Sequence, residues 1–116
     1  MNGQISTLDE FWPFYLAQHL NPTNRRLHFV GTSLVLILIP AAIFLRSPAV
    51  LGGAVIQAYA FAWVGHFFFE RNKPATFKYP WLSLLGDFRM YRMMWFGVLE
   101  EDIRLRAADM RAFREF

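Results

Sequence analysis

The sequence predicts an all-α membrane protein, an antiparallel transmembrane helical hairpin with amphipathic or interfacial helices before and after it. Residues 27–45 hold no Asp, Glu, Lys or Arg, and neither do residues 49–69. At about 1.5 Å per residue, runs of roughly 20 residues cover the ~30 Å hydrocarbon core of a bilayer. The linker Arg46, Ser47 and Pro48 is too short for anything but antiparallel neighbours, and its proline disfavours continued helix. With 55% hydrophobic and 18% aromatic residues in 116, the chain is one domain over 1–116, more apolar than a soluble domain of that length requires.

From the N-terminus, Thr7 and Glu10 have capping-box spacing ahead of Leu8, Phe11, Trp12, Tyr15 and His19, which share one helical face. This predicts a short amphipathic helix on the membrane surface, starting late or bending at Pro13. The stretch Asn21, Pro22, Thr23 and Asn24 reads as the turn into the first span. Beyond the second span, Asn72, Pro74 and Pro80 punctuate a loop. Residues 81–99 are apolar and aromatic but carry Asp87, Arg89 and Arg92, so they are expected to lie at the interface or fold back on the hairpin. The tail repeats Ile103, Ala107, Met110 and Phe113 at helical spacing, an amphipathic helix for the membrane surface or a partner.

Charge sets the orientation. Arg46 is the only basic residue of the linker, whereas Arg25, Arg26, Arg71, Lys73 and Lys78 flank the open end of the hairpin. By the positive-inside rule both termini face the cytoplasm, in a bacterial inner membrane or the endoplasmic reticulum. A net charge of +3 then reads as topology and contact with membrane lipids, and no motif supports nucleic-acid binding. Cysteine is absent, which excludes disulfides and thiolate chemistry. The first residues lack the basic and apolar segments of a signal peptide, so insertion is expected to use the spans themselves. No internal repeat stands out, and the sequence leaves the oligomeric state open.

Three histidines, His19, His28 and His66, are the whole complement. His28 and His66 lie nineteen positions either side of Ser47 and therefore at equal depth, and the stripe ending at His19 delivers a third imidazole to the same mouth. Glu70, four residues after His66, is the expected fourth ligand. Three imidazoles and a carboxylate suit iron(II) or zinc, with oxygen chemistry favouring iron. Asn24, one turn before His28, is expected to orient that imidazole, and Arg25 or Arg26 to clamp a carboxylate or an anionic headgroup. Gln57 reads as an interhelical hydrogen-bonder, and Gly31 and Gly65 as points of close helix approach. Asp87, Arg89 and Arg92 read as a surface ion-pair cluster rather than a lid. Ser83 has no His or Asp at a hydrolase spacing.

The run His19-x4-Asn24-Arg25-Arg26-x-His28-x2-Gly31, then Gln57, Gly65-His66-x3-Glu70-x-Asn72-x-Pro74-Ala75 and Leu82-Ser83-Leu84-x2-Asp87-x2-Met90, resembles the Mpo1-like family. The similarity extends from about Phe11 to Met94. It implies an iron(II)-dependent dioxygenase of 2-hydroxy fatty acids, taking dioxygen and shortening the acid by one carbon, with the family's histidines at His19, His28 and His66. The acyl tail is expected among Trp63, Phe67, Phe68 and the surrounding bilayer. The alternatives are a non-catalytic lipid-binding or scaffold protein and a bis-histidine haem protein using His28 and His66.

Overall fold

The computed structural model describes residues 5–113, and within them all regular structure is helical. The first helix, α1 (Leu8–Ala17), is capped by Thr7, whose Oγ1 accepts from Glu10 N at 3.2 Å. Pro13 sits inside it without delaying its start. Helix α2 (Pro22–Leu45) begins a turn earlier than the charge-free run suggests. Asn21 Oδ1 accepts from Thr23 N, and Pro22 occupies the first turn, where its missing N–H costs nothing. The predicted turn residues are thus the cap and first turn of the helix.

Arg46, in the left-handed conformation at φ 52°, ends α2, and Ser47 caps α3 (Pro48–Val64) through Val50 N. A π-helical turn (Gly65–Glu70) prolongs α3, and Arg71 at φ 62° closes it. Helices α2 and α3 lie side by side with their partners in reverse order. Asn24 meets Gly65, whereas Gly31 meets Ala58 and its carbonyl accepts from Gln57 Nε2 at 3.0 Å. Helix α2, and α3 taken together with its π-helical turn, are long and apolar enough to cross a membrane, and only 17% and 11% of their most apolar stretches is buried within the molecule. Ile37, Ile43, Phe44 and Ile56 are largely exposed.

A second layer caps one end of this pair. It comprises a 3-10 turn (Ala75–Phe77), α4 (Pro80–Trp95), α5 (Leu99–Leu105), α6 (Ala107–Met110) and a last 3-10 turn (Arg111–Phe113), with α1 at their centre. Phe11, Trp12, Tyr15 and Leu16 are almost fully buried against Met90, Leu99 and Met110. This corrects two expectations: neither α1 nor the tail lies on a surface awaiting lipid. The apolar stripe of α1 is covered by the chain's own C-terminal helices, with Trp12 Nε1 donating to Asp102 Oδ2 at 2.7 Å and Phe14 meeting Phe113 edge-on. Helix α4 folds back on α2, where Tyr91 stacks on Phe29 and shares a 2.9 Å hydrogen bond with Ser33.

Candidate metal centre

The three histidines stand where the cap meets the helix pair. His19 follows the end of α1, four residues after Tyr15, and its ring stacks on the Tyr15 ring at 3.9 Å. His28 comes from the second turn of α2 and His66 from the π-helical turn. Their ring centroids are 4.7, 4.6 and 5.0 Å apart and their planes nearly perpendicular. All three are buried.

Each imidazole is held through Nδ1. His19 Nδ1 donates to the Tyr15 carbonyl at 2.6 Å and His28 Nδ1 to the Asn24 carbonyl at 2.9 Å, since a carbonyl only accepts. His66 Nδ1 donates to Asn72 Oδ1 at 2.7 Å, the amide being oriented by Asn72 Nδ2, which donates to the Gln18 carbonyl. With every proton committed to Nδ1, the Nε2 lone pairs remain for the interior, and those of His19 and His28 face each other at 3.3 Å. Unshared lone pairs in buried contact repel unless a cation lies among them. Burial, then the neighbouring charges of His28 and His66, holds the His19 imidazole well below its ordinary range, so a proton is a poor candidate for that cation. One donor atom from each ring lies within 4.8 Å of the other two, so the cluster could hold a metal ion.

A cavity of about 380 Å³ opens from this cluster. Tyr15, Ser83 and Asp87 line the cap side, and Thr32, Val35, Ala58 and Trp63 belong to α2 and α3. Tyr15 Oη donates to Asp87 Oδ1 at 2.5 Å, and burial pushes the Asp87 carboxyl up to about 7.

A family model described as 2-hydroxy-palmitic acid dioxygenase Mpo1-like matches residues 5–99. The chain belongs to the Mpo1-like family. No curated protein and no solved structure matches it. The Mpo1-like stretch contains all three histidines and the acceptors that hold their Nδ1 atoms, and it ends at the first residue of α5.

Several residues of the Mpo1-like motif stand elsewhere than spacing suggested. Glu70 does not join the triad: its Oε1 accepts from Asn21 N, tying the π-helical turn to the start of α2. Glu70 is the last residue of the π-helical turn, beside the reversal at Arg71, and its carboxylate is taken up by the backbone N–H at the start of α2. Asn24 does act on His28, but through its carbonyl, which any residue there would supply. Its buried side chain instead packs against Gly65, where a Cβ would collide with Oδ1.

Arg25 is a strut rather than a clamp. It is buried, donates to the carbonyls of His19 and Leu20 at 2.8 and 2.9 Å, and meets Glu100 Oε1 at 2.5 Å. Arg26 is exposed and has no ion pair among the described residues. The cluster expected of Asp87, Arg89 and Arg92 does not form. Arg89 pairs with Asp9 at 3.3 Å and lies over the Trp12 ring, while Asp87 faces the cavity. Trp63 lines that cavity, but Phe67 and Phe68 turn outward.

Tyr15 and Asn72 were missed as site residues. Asn72 stood in the motif six residues after His66, a spacing that brings it back only because Arg71 reverses the chain and Asn72 N bonds the His66 carbonyl at 3.0 Å. Tyr15 stood in the stripe with His19, four residues earlier.

Proposed function

We propose that this protein is a membrane-embedded iron(II)-dependent dioxygenase that shortens 2-hydroxy fatty acids by one carbon. The single observation that carries the metal is the inward convergence of three Nε2 lone pairs whose Nδ1 protons are all engaged. Structural sites for zinc use four protein ligands, whereas three leave positions for substrate and dioxygen. Iron bound there supplies the oxygen-activating chemistry. The family description, 2-hydroxy-palmitic acid dioxygenase, supports the substrate class.

The chain's residues divide the remaining work. Tyr15, Asn24 and Asn72 fix the tautomer and angle of each imidazole through their acceptors. Arg25 holds the His19 backbone against the start of α2, so the third ligand depends on the cap being docked. Apolar side chains dominate the cavity lining away from the triad, which suits an acyl chain. Asp87, which lines the cavity, accepts from Tyr15 at Oδ1 and titrates near neutrality, can take up or release a proton through its carboxyl group. The exposed apolar faces of α2 and α3 support a two-span hairpin in a bilayer, and the basic residues at its open end support a site on the cytoplasmic side.

The haem alternative finds no room, since the His19 ring stands within 4.7 Å of His28 and 4.6 Å of His66, where the macrocycle would lie. A purely structural cluster would leave the facing lone pairs without a cation. Anaerobic loading of detergent-purified protein with iron(II), followed by metal analysis, separates the readings. We expect one iron per chain, its loss in His19→Ala, His28→Ala and His66→Ala, and oxygen-dependent release of one carbon from 2-hydroxyhexadecanoate. Absence of bound transition metal after loading overturns the proposal.

A further inference from the structure

The cavity does not stop at the histidines. Along α2 its wall is His28, Thr32, Val35 and Ile39, at offsets of four, seven and eleven that trace one helical face. Along α3 it mirrors this, from His66 back through Ala62, Tyr59 and Ala58 to Val55, again eleven residues. The result is one trough running from the triad towards the Arg46 linker, polar at the triad and apolar at its far end. Eleven helical residues rise about 16 Å, which equals the depth of one leaflet when the whole hydrocarbon core is about 30 Å. A trough of that depth takes the tail of an ordinary membrane-length acyl chain when its polar head is at the triad.

We infer that this trough is the acyl-tail channel and that Val35, Ile39 and Val55 set the length of chain accepted. The inference rests on the fatty-acid reading above. Thr32 and Ala58 flank the first carbons beyond the head, and the lining ends at Ile39 and Val55. Because the site's chemistry acts at the head, length selection falls to residues far from the metal, in the way remote binding contacts position a reacting group.

Val35→Phe fills the middle of the channel, and Ile39→Ala lengthens its end. The test measures binding of 2-hydroxy acids of eight to twenty carbons to metal-free protein in lipid nanodiscs, read by competition with radiolabelled 2-hydroxyhexadecanoate. Wild-type protein is expected to bind longer acids more tightly until the channel is full. Val35→Phe should weaken the long acids by about tenfold or more while sparing the shortest, and Ile39→Ala should move the optimum to longer chains. No dependence on length in the wild type overturns the inference, as does an equal change at all lengths in Val35→Phe. Length-graded binding without oxygen-dependent turnover of the iron-loaded protein would retain the channel and remove the dioxygenase. Turnover equally indifferent to length in wild type and variants would do the reverse.

Discussion

Each imidazole of the triad gives its Nδ1 to a fixed acceptor, so weakening an acceptor should act on metal affinity before it acts on folding. Asn72→Ala removes the partner of His66 while leaving the ring in place. We expect iron affinity to fall by about 10 to 100-fold, as for other outer partners of metal-bound histidine, with a small change in melting temperature. Competition with a chelator of known affinity checks this, and unchanged affinity would show that Asn72 is only a loop residue. Arg25→Lys should behave alike, because one ammonium does not reproduce the fork that spans two carbonyls and Glu100. Asp87 offers a pH signature. Its carboxyl, raised from 3.8 to about 7, keeps a proton in the folded state that the unfolded chain has released. Stability therefore falls as pH rises from 3.8 to about 7, and above that the loss is complete. Thermal unfolding across this range should show the decline in wild-type protein and a flatter profile in Asp87→Asn. A decline of equal steepness in the variant would assign it to another group.

Three helical elements meet at the site, and glycines report how closely. A Cβ at Gly86 on α4 would lie 2.8 Å from the Tyr15 ring, and one at Gly65 would enter the Asn24 amide, whereas a Cβ at Gly53 meets nothing within 4 Å. Gly86→Ala and Gly65→Ala should each cost about 1–3 kcal/mol through overpacking. Gly53→Ala should be neutral or gain up to about 1 kcal/mol of helix propensity. Denaturation in detergent distinguishes the three, and equal effects would mean that the helices do not approach as described. The same elements show what the sequence could carry. The two long helices were legible because an absence of charge over twenty residues is a local property, and Gln57 and Gly31 because few other residues suit a close helix contact. The cover of α1 was not legible. An apolar stripe states that it must be buried, not by what, and its partner at Asp102 lies ninety residues away. Glu70 failed for a different reason, since spacing places it on the face of His66 but does not show that Asn21 N, forty-nine residues away, takes its carboxylate. The convergence of the histidines survived that error because it needs only the equal depth of His28 and His66, which counting from Ser47 supplies, and the stripe that ends at His19.

At the scale of the whole molecule, a 47 Å long body carries its site at the junction between a cap and two lipid-length helices, so orientation and function are linked. If α2 and α3 span the bilayer, Arg46 and Lys73 lie on opposite faces of it, although both are exposed in the protein. The chain holds no cysteine, so single substitutions report without background. A membrane-impermeant maleimide applied to intact cells should label Arg46→Cys at once and Lys73→Cys only after the membrane is opened. Removing Arg46 leaves the basic excess around Arg25, Arg71 and Lys78 and so does not favour inversion. Lys73→Cys is far in sequence from the linker, and its loss leaves Arg71 and Lys78 beside the mouth. Labelling of both positions in intact cells would remove the two-span arrangement. Labelling of Lys73→Cys alone would place the triad outside the cytoplasm, away from the reducing conditions that keep iron in its divalent state. The expected pattern puts the triad on the cytoplasmic face and the apolar trough inside the adjoining leaflet, the orientation in which the proposed lipid-dissolved acid would reach the histidines head first.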